Sequence, residues 1–386
     1  MRVVKISSQS DVIKIMERLG VDPAGTKIME KKCEIMLFLI KDLPVGAANI
    51  LKQDALSIGA DAALPSGAVT CSFKKCDLLL MGTKKHIEIL SKKEKAQPYG
   101  LKDLARELSL HIDQRASDVK IMGVINVNSD SFYPMSRFDP KAALSAIERM
   151  IEEGADMIDI GAVSSRPGSD EVPLSEEIKR VSPVLELLKD SEITSKALFS
   201  IDTYRPEVAK MALEAGFKIV NDITGLRDSK MCEVVSFYEA SVVIMHMQNE
   251  PKNMQADPRY EDVVSEVSRF FEERIEKARR FSIPEEKIIL DPGIGFGKRL
   301  EHNVALLNGL SHFKRFGREI LVGASRKSMI DHIYPSKVEE RLPGTIVLHL
   351  KALREGAQII RCHDVKEHKQ AFAVERYLNG SVEALI

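Results

Sequence analysis

The chain has 386 residues, 44% of them hydrophobic and 29% charged, with a formal net charge of −1. That length exceeds an ordinary single domain and points to two. The balanced charge gives no reason to expect nucleic acid or an acidic membrane surface as a partner, and no apolar stretch approaches membrane-spanning length.

The N-terminus, MRVVKISSQSD, lacks the apolar core of a secretory signal. MLFLI (36–40) and DLLLMGT (77–83) read as strands, and 49–64, 85–96 and 100–112 carry helical spacing. Residues 1–116 are therefore expected to form a small α+β domain with its own core. No catalytic constellation is visible in it; Ser66, Cys71, Lys74 and Lys75 read as solvated loop residues. DQRASD (113–118) reads as a linker. The five cysteines (33, 71, 76, 232 and 362) are odd in number and lack framework spacing. They read as reduced thiols of a cytoplasmic protein. Cys71 and Cys76 have neither the second pair nor the nearby histidine that a zinc site needs.

From residue 119 the pattern changes. Apolar runs occur at 121–127, 157–162, 198–203, 219–224, 242–246, 288–293, 320–325 and 358–364, and nearly every one ends in a polar or charged residue. Amphipathic segments separate them, among them 205–216, 229–240 and a helix after the loop 248–260. The last, VKEHKQAFAVERYL, follows the eighth run. A parallel strand buried on both faces needs a continuous apolar run. Eight strand–helix units over about 250 residues make a TIM barrel. The expected architecture is an α/β (β/α)8 barrel over 117–386, preceded by the small α+β domain.

In such a barrel the active site lies at the carboxyl ends of the strands. Those ends supply Asn126, Asp202, Asn221, Asp291, Lys327, Arg361 and His363. Donors and acceptors alternating on separate strands suit a flat heterocycle with amide-like edges. Asp222 and Asp291 suit strand or helix capping equally well. Lys327 follows the seventh strand, where these barrels often bind anions. Arg361 and His363 are two residues apart, so a strand presents both on one face, as a phosphate-bearing group would require. The glycine-rich DPGIGFGK (291–298) has neither Walker nor dinucleotide-binding spacing and reads as a loop placing Phe296 at the mouth.

Eight motifs in order, NVNSDSF (126–132), DIGAVSSRPG (159–168), DTY (202–204), NDI (221–223), MHM (245–247), DPGIGFGK (291–298), GASRKS (323–328) and RCHDV (361–365), resemble those of dihydropteroate synthase. The likeness covers residues 119–386. It implies condensation of 6-hydroxymethyl-7,8-dihydropterin diphosphate with 4-aminobenzoate, giving 7,8-dihydropteroate and pyrophosphate. It implies that Asp202, Asn221, Met245, Asp291 and Lys327 hold the pterin and that Arg361 stacks on it. Arg361 and His363, with Asn126 and Mg²⁺, would take the diphosphate. Phe132, Ser165, Arg166, Pro167, Phe296 and Ser328 would shape the aminobenzoate pocket. A homodimer, and a place among the sulfonamide targets, also come with the resemblance.

The first loop departs from the family pattern. Asn128–Ser129 stand where Thr-Pro is usual, and Tyr133–Pro134–Met135–Ser136 replace Ser-Asp-Gly-Gly. The usual acidic residue is thus missing at Pro134, with Asp130 and Asp139 nearby. Val163 replaces Glu, and Ser165 replaces Thr while keeping the hydroxyl. Two other readings share the pterin contacts: a methyltransferase on the same barrel, and a non-catalytic pterin-binding homologue. The first leaves the cationic GASRKS and RCHDV motifs unexplained.

Overall fold

The computed structural model of the chain describes residues 12–112, 119–127, 140–163, 172–189, 191–249 and 254–380. It divides into two compact units, residues 1–115 with 374–386, and residues 116–373.

The first unit contains α1 (Val12–Arg18), α2 (Pro23–Glu30), β1 (Ile35–Pro44), α3 (Val45–Ser57), β2 (Asp61–Ala63), β3 (Lys75–Thr83), α4 (Lys84–Lys93) and α5 (Leu101–Leu110). Its antiparallel sheet has the order β1-β3-β2. Leu51, Leu78, Leu80, Leu90 and Leu101 form its core. The helix expected over 49–64 stops at Ser57. Gly59 turns the chain with φ +85°, and Asp61–Ala63 then pairs with β3. Helices α1 and α2 were not expected from the sequence: α1 spans seven residues, too few to show a period, and buries none of them. Helix α2 is announced instead by its cap: Asp22 accepts from the amides of Ala24 and Gly25, with Pro23 in the first turn.

The second unit is the expected barrel. Strands β4 (Lys120–Asn126), β5 (Met157–Gly161), β6 (Leu198–Asp202), β7 (Ile219–Asp222), β8 (Ser241–Met245), β9 (Ile288–Asp291), β10 (Glu319–Val322) and β11 (Ile359–Cys362) close in the order β10-β11-β4-β5-β6-β7-β8-β9. Around them lie α6 (Pro140–Glu152), α7 (Leu174–Lys189), α8 (Pro206–Glu214), α9 (Ser229–Phe237), α10 (Val263–Arg280), α11 (Leu300–Asn308), α12 (Ser328–Ile333), α13 (Leu342–Arg354) and the first part of α14 (Val365–Gly380), whose residues from 374 on belong to the first unit. No helix among the described residues is long and apolar enough to cross a membrane.

Strand parity explains how the barrel is filled. Outward residues such as Ile158, Phe199, Val242, Leu290 and Ile360 pack with helix residues including Val184, Ala209, Val267 and Phe271. Phe271 is wholly buried and meets Phe313 edge-on at 5.4 Å, so Phe271→Ala should cost about 3–5 kcal/mol. Met122, Met157, Ile219, Val243, Ile289, Leu321 and Ile359 form a separate, fully buried apolar layer inside the barrel. Side chains alternate faces along a strand, so the residues two further on share that interior. They are Val124, Asp159, Asn221, Met245, Asp291, Gly323 and Arg361. Four of these seven, Asp159, Asn221, Asp291 and Arg361, are polar, and they set the floor of the mouth.

Candidate active site

Arg361 lies at the centre of this polar layer. Its Nε donates to Asp159 Oδ2 at 2.7 Å, and its Nη2 donates to Asp202 Oδ2 at 2.8 Å. Asn221 Nδ2 donates to the same Asp159 oxygen at 2.9 Å. Asp202 and Asn221 are register partners on β6 and β7, which places them side by side. Burial and the neighbouring carboxylates push the Asp202 carboxyl up to about 7, although Arg361 pulls it down. Burial disfavours the Arg361 charge, yet Asp159 and Asp202 together hold its pKa above the usual value. Two atoms in this group have no partner among the described residues: Asp159 Oδ1 and Asn221 Oδ1 are both buried without a hydrogen bond. A buried acceptor left unpaired costs on the order of 1–3 kcal/mol, so each is a place where a ligand donor is favoured.

Asp291, at the end of β9, is the register partner of Met245 on β8. Its Oδ1 accepts from the Gly293 amide at 2.7 Å, the capping contact that its position allowed. Burial nevertheless raises its carboxyl to about 6, while Gly293, Lys327, Lys298 and Arg361 lower it. Lys327 Nζ stands 4.0 Å from the centre of the Phe296 ring. Phe296 belongs to a small apolar cluster with Ile223, Met245, Met247 and Met254, with Tyr204 packed against it. The site thus pairs a flat apolar wall with carboxylate and amide acceptors, as a planar heterocycle bearing N–H groups requires. Asp222, by contrast, serves the fold: it accepts from Thr224 N, Thr224 Oγ1 and Leu226 N.

A second corner forms where β10 and β11 end. Ser325 Oγ and His363 Nδ1 are 2.9 Å apart. Arg326 grips Asp364 through both ends of its guanidinium, at 3.0 and 2.7 Å. The arginine of GASRKS is therefore a clamp between two loops, its guanidinium already held by a carboxylate. Behind the clamp runs a buried chain from Ala324 N to His349 Nε2 (3.0 Å), His349 Nδ1 to His368 Nε2 (2.7 Å), and His368 Nδ1 to the Asp364 carbonyl (2.6 Å). Burial, then His368, holds His349 well below its usual pKa. The neutral ring then accepts at Nε2 and donates at Nδ1, which fixes the tautomer of both rings.

Seven expected residues lie in this mouth or at its rim: Asp202, Asn221, Met245, Asp291, Phe296, Lys327 and Arg361. His363 stands one residue past β11, at the second corner. Ser328 opens α12 and is exposed. Phe132, Ser165, Arg166 and Pro167 lie outside the described residues, as does the altered loop 128–139. Asp159 was not singled out from the sequence. It sits two residues before the end of β5, and a search confined to strand ends passes over it. Parity with Met157 would have found it.

No group of three or more His, Cys, Asp or Glu placed to hold a metal occurs among the described residues. Mg²⁺ ordinarily keeps several waters and takes one or two protein oxygens beside substrate phosphates. Asn126, half-buried at the end of β4, offers one such oxygen. That donor set fits an ion held largely by a diphosphate.

Residues 122–363 match the family described as pterin binding enzyme. The chain is 40% identical over 367 residues to the bifunctional dihydropteroate synthase/dihydropteroate reductase of Helicobacter pylori, covering 95% of this chain and 96% of that protein. The Yersinia pestis dihydropteroate synthase, solved with a sulfonamide drug, superposes with a TM-score of 0.64 at 37% identity, covering 69% of this chain and 98% of that one. The Xanthomonas albilineans dihydropteroate synthase, solved with 7,8-dihydropteroate, gives 0.61 at 35%, covering 69% and 95%. The chain belongs to the pterin-binding enzymes. Within them its kin are the dihydropteroate synthases.

Proposed function

We infer that the chain condenses 6-hydroxymethyl-7,8-dihydropterin diphosphate with 4-aminobenzoate, releasing pyrophosphate and 7,8-dihydropteroate. The observation that carries this reading is Asn221 Oδ1, buried without a partner among the described residues and next to Asp202, at the mouth of a barrel from the pterin-binding family. The pterin's ring N–H and exocyclic amino groups would give these acceptors their missing donors. Met245 and Phe296 would cover the ring face.

In the reaction the arylamine nitrogen bonds to the exocyclic methylene carbon, and the carbon–oxygen bond to the diphosphate breaks. The electron pair leaves with pyrophosphate, and the amine loses a proton afterwards. A weakly basic arylamine needs no activation, so the barrier lies in charge on the leaving group. Arg361 has five N–H donors, of which Asp159 and Asp202 use one each. When a pterin engages Asp202, the guanidinium gains freedom to turn toward the diphosphate. Lys327 lies at the same mouth, and His363 completes the leaving-group corner. Asn126 would hold Mg²⁺, which when bound neutralises diphosphate charge. The apolar cluster around Phe296 keeps water from the electron-deficient carbon.

The full chain incubated with both substrates should yield 7,8-dihydropteroate by mass spectrometry. Pterin binding without product would favour the non-catalytic homologue. The methyltransferase reading has no use for the cationic corner of Lys327, Arg361 and His363. A homodimer is the expected assembly, and light scattering on the eluting protein reads it.

A second activity is favoured by one observation. The Helicobacter pylori relative named for both synthase and reductase aligns with both units of this chain. We infer a further reduction of dihydropteroate at its C6–N5 double bond: a hydride from a reduced nicotinamide to carbon and a proton to nitrogen. Consumption of the reduced nicotinamide that depends on dihydropteroate tests it; no consumption with either nicotinamide removes it.

A further inference from the structure

We propose that Lys298 is a positioning residue for pterin binding, clasping the loop that carries Asp291 and Phe296 to the end of β8 through His246. The proposal rests on the synthase reading of the mouth and adds a residue that touches no substrate.

Lys298 is 3% exposed, an unusual place for an ammonium group. Its Nζ makes three contacts: His246 Nδ1 at 3.0 Å, the His246 carbonyl at 3.1 Å and the Phe296 carbonyl at 2.9 Å. Three N–H bonds are all that an ammonium has, so its hydrogen bonds are spent between the two segments. His246 is itself 7% exposed and edge-on to Phe270 at 5.0 Å, which gives the clasp a fixed anchor. Burial, then Lys298, holds His246 well below its usual pKa, so its ring is neutral, and facing an ammonium, which can only donate, Nδ1 accepts.

The loop fits this anchor closely. Gly293 has φ +68°, and a Cβ there would come within 2.0 Å of the His246 carbonyl oxygen. Gly297 has φ +58°, and a Cβ would meet the Gln248 carbonyl at 2.8 Å. Tyr260 Oη donates to the Gly297 carbonyl at 2.8 Å. The loop is thus laid directly on the residues after Met245. Asp291 begins it, and Phe296, whose own carbonyl Lys298 holds, presents its ring to Lys327. Burial pulls the Lys298 ammonium down to about 7, with Asp291 favouring the charge and Lys327 opposing it. Burying an ammonium is costly in general, and a loop needing only apolar packing would not require one.

The test is Lys298→Met in the full chain, which keeps the stem and removes the donors. A non-reactive pterin is titrated calorimetrically, and KM is measured for each substrate. Pterin affinity should fall about tenfold or more, the loss of one or two buried hydrogen bonds, with the 4-aminobenzoate KM changing far less. Should Lys298→Met not fold, His246→Leu and His246→Gln take its place. The leucine variant should lose pterin affinity, and the glutamine, which keeps an acceptor, should recover most of it. A folded Lys298→Met or His246→Leu protein with wild-type pterin affinity overturns the clasp. Failure of the wild-type chain to bind pterin at all would instead overturn the synthase reading.

Discussion

Arg361, on the last barrel strand, reaches Asp159 on the second, Nε to Oδ2 at 2.7 Å, with Asp159 wholly buried. The two are not neighbours in the sheet: β4 stands between β11 and β5. The ion pair therefore bridges the interior of the mouth and positions the guanidinium there. Asp159 binds Asn221 with the same oxygen, so one carboxylate orients both a cation and an amide of the site.

Arg361→Ala should lower kcat about 10²–10³-fold, the usual cost of losing one interaction with developing charge. It should also destabilise the protein, since the wholly buried Asp159 loses its counter-charge; breaking such a buried pair costs about 3–5 kcal/mol. His363→Ala should cost less if Mg²⁺ carries most of the diphosphate charge. The measurements are kcat across a Mg²⁺ series and urea unfolding. Wild-type turnover in both variants at limiting Mg²⁺ would place the diphosphate elsewhere.

Asn221→Ala should weaken binding of a non-reactive pterin by roughly 1–3 kcal/mol, because the heterocycle's donor then lacks its acceptor. Calorimetric titration reads this, and unchanged affinity would remove Asn221 from the pterin site.

The stability of the ligand-free chain should depend on pH through Asp202. Its carboxyl is raised to about 7 in the fold, chiefly by burial, so the folded chain keeps a proton that the unfolded chain releases. Its contribution is complete below the unfolded pKa, near 4, and is lost as pH rises through about 7. Asp202→Asn cannot titrate, so it should gain on the wild type as pH rises from 4 to 7, at no more than about 1.4 kcal/mol per pH unit. A pH-independent difference in urea unfolding would contradict the protonated assignment.

The barrel was legible because parallel strands buried on both faces leave continuous apolar runs, and all eight strands formed where such runs stand. The site was legible where a polar residue ends a run, as at Asp202, Asn221 and Asp291. Asp159 was hidden inside its run, since a buried carboxylate between Ile158 and Ile160 gives no boundary to notice. Lys298 and His246 were visible as parts of DPGIGFGK and MHM, but their pairing is a contact between distant segments that spacing does not encode. The partner of Arg326 within GASRKS was equally hidden: Asp364, which holds it, lies 38 residues further along the chain. In the first unit, Gly59 was noted as a break, yet a three-residue strand such as Asp61–Ala63 carries too little pattern to read.

A fragment of residues 117–386 is expected to fold and to release pyrophosphate. The Yersinia synthase matches over 98% of its own length while covering only 69% of this chain, so the chemistry of that fold needs no counterpart of the first unit. Circular dichroism and turnover test this together. A folded fragment without turnover would give the first unit a catalytic or loop-ordering part.

The most direct measurement is pyrophosphate release by the full chain with Mg²⁺, supplied with dihydropterin diphosphate alone, 4-aminobenzoate alone, or both. The account predicts sustained release only when both are present, matched one-to-one by 7,8-dihydropteroate. No release, or release indifferent to 4-aminobenzoate, would contradict it.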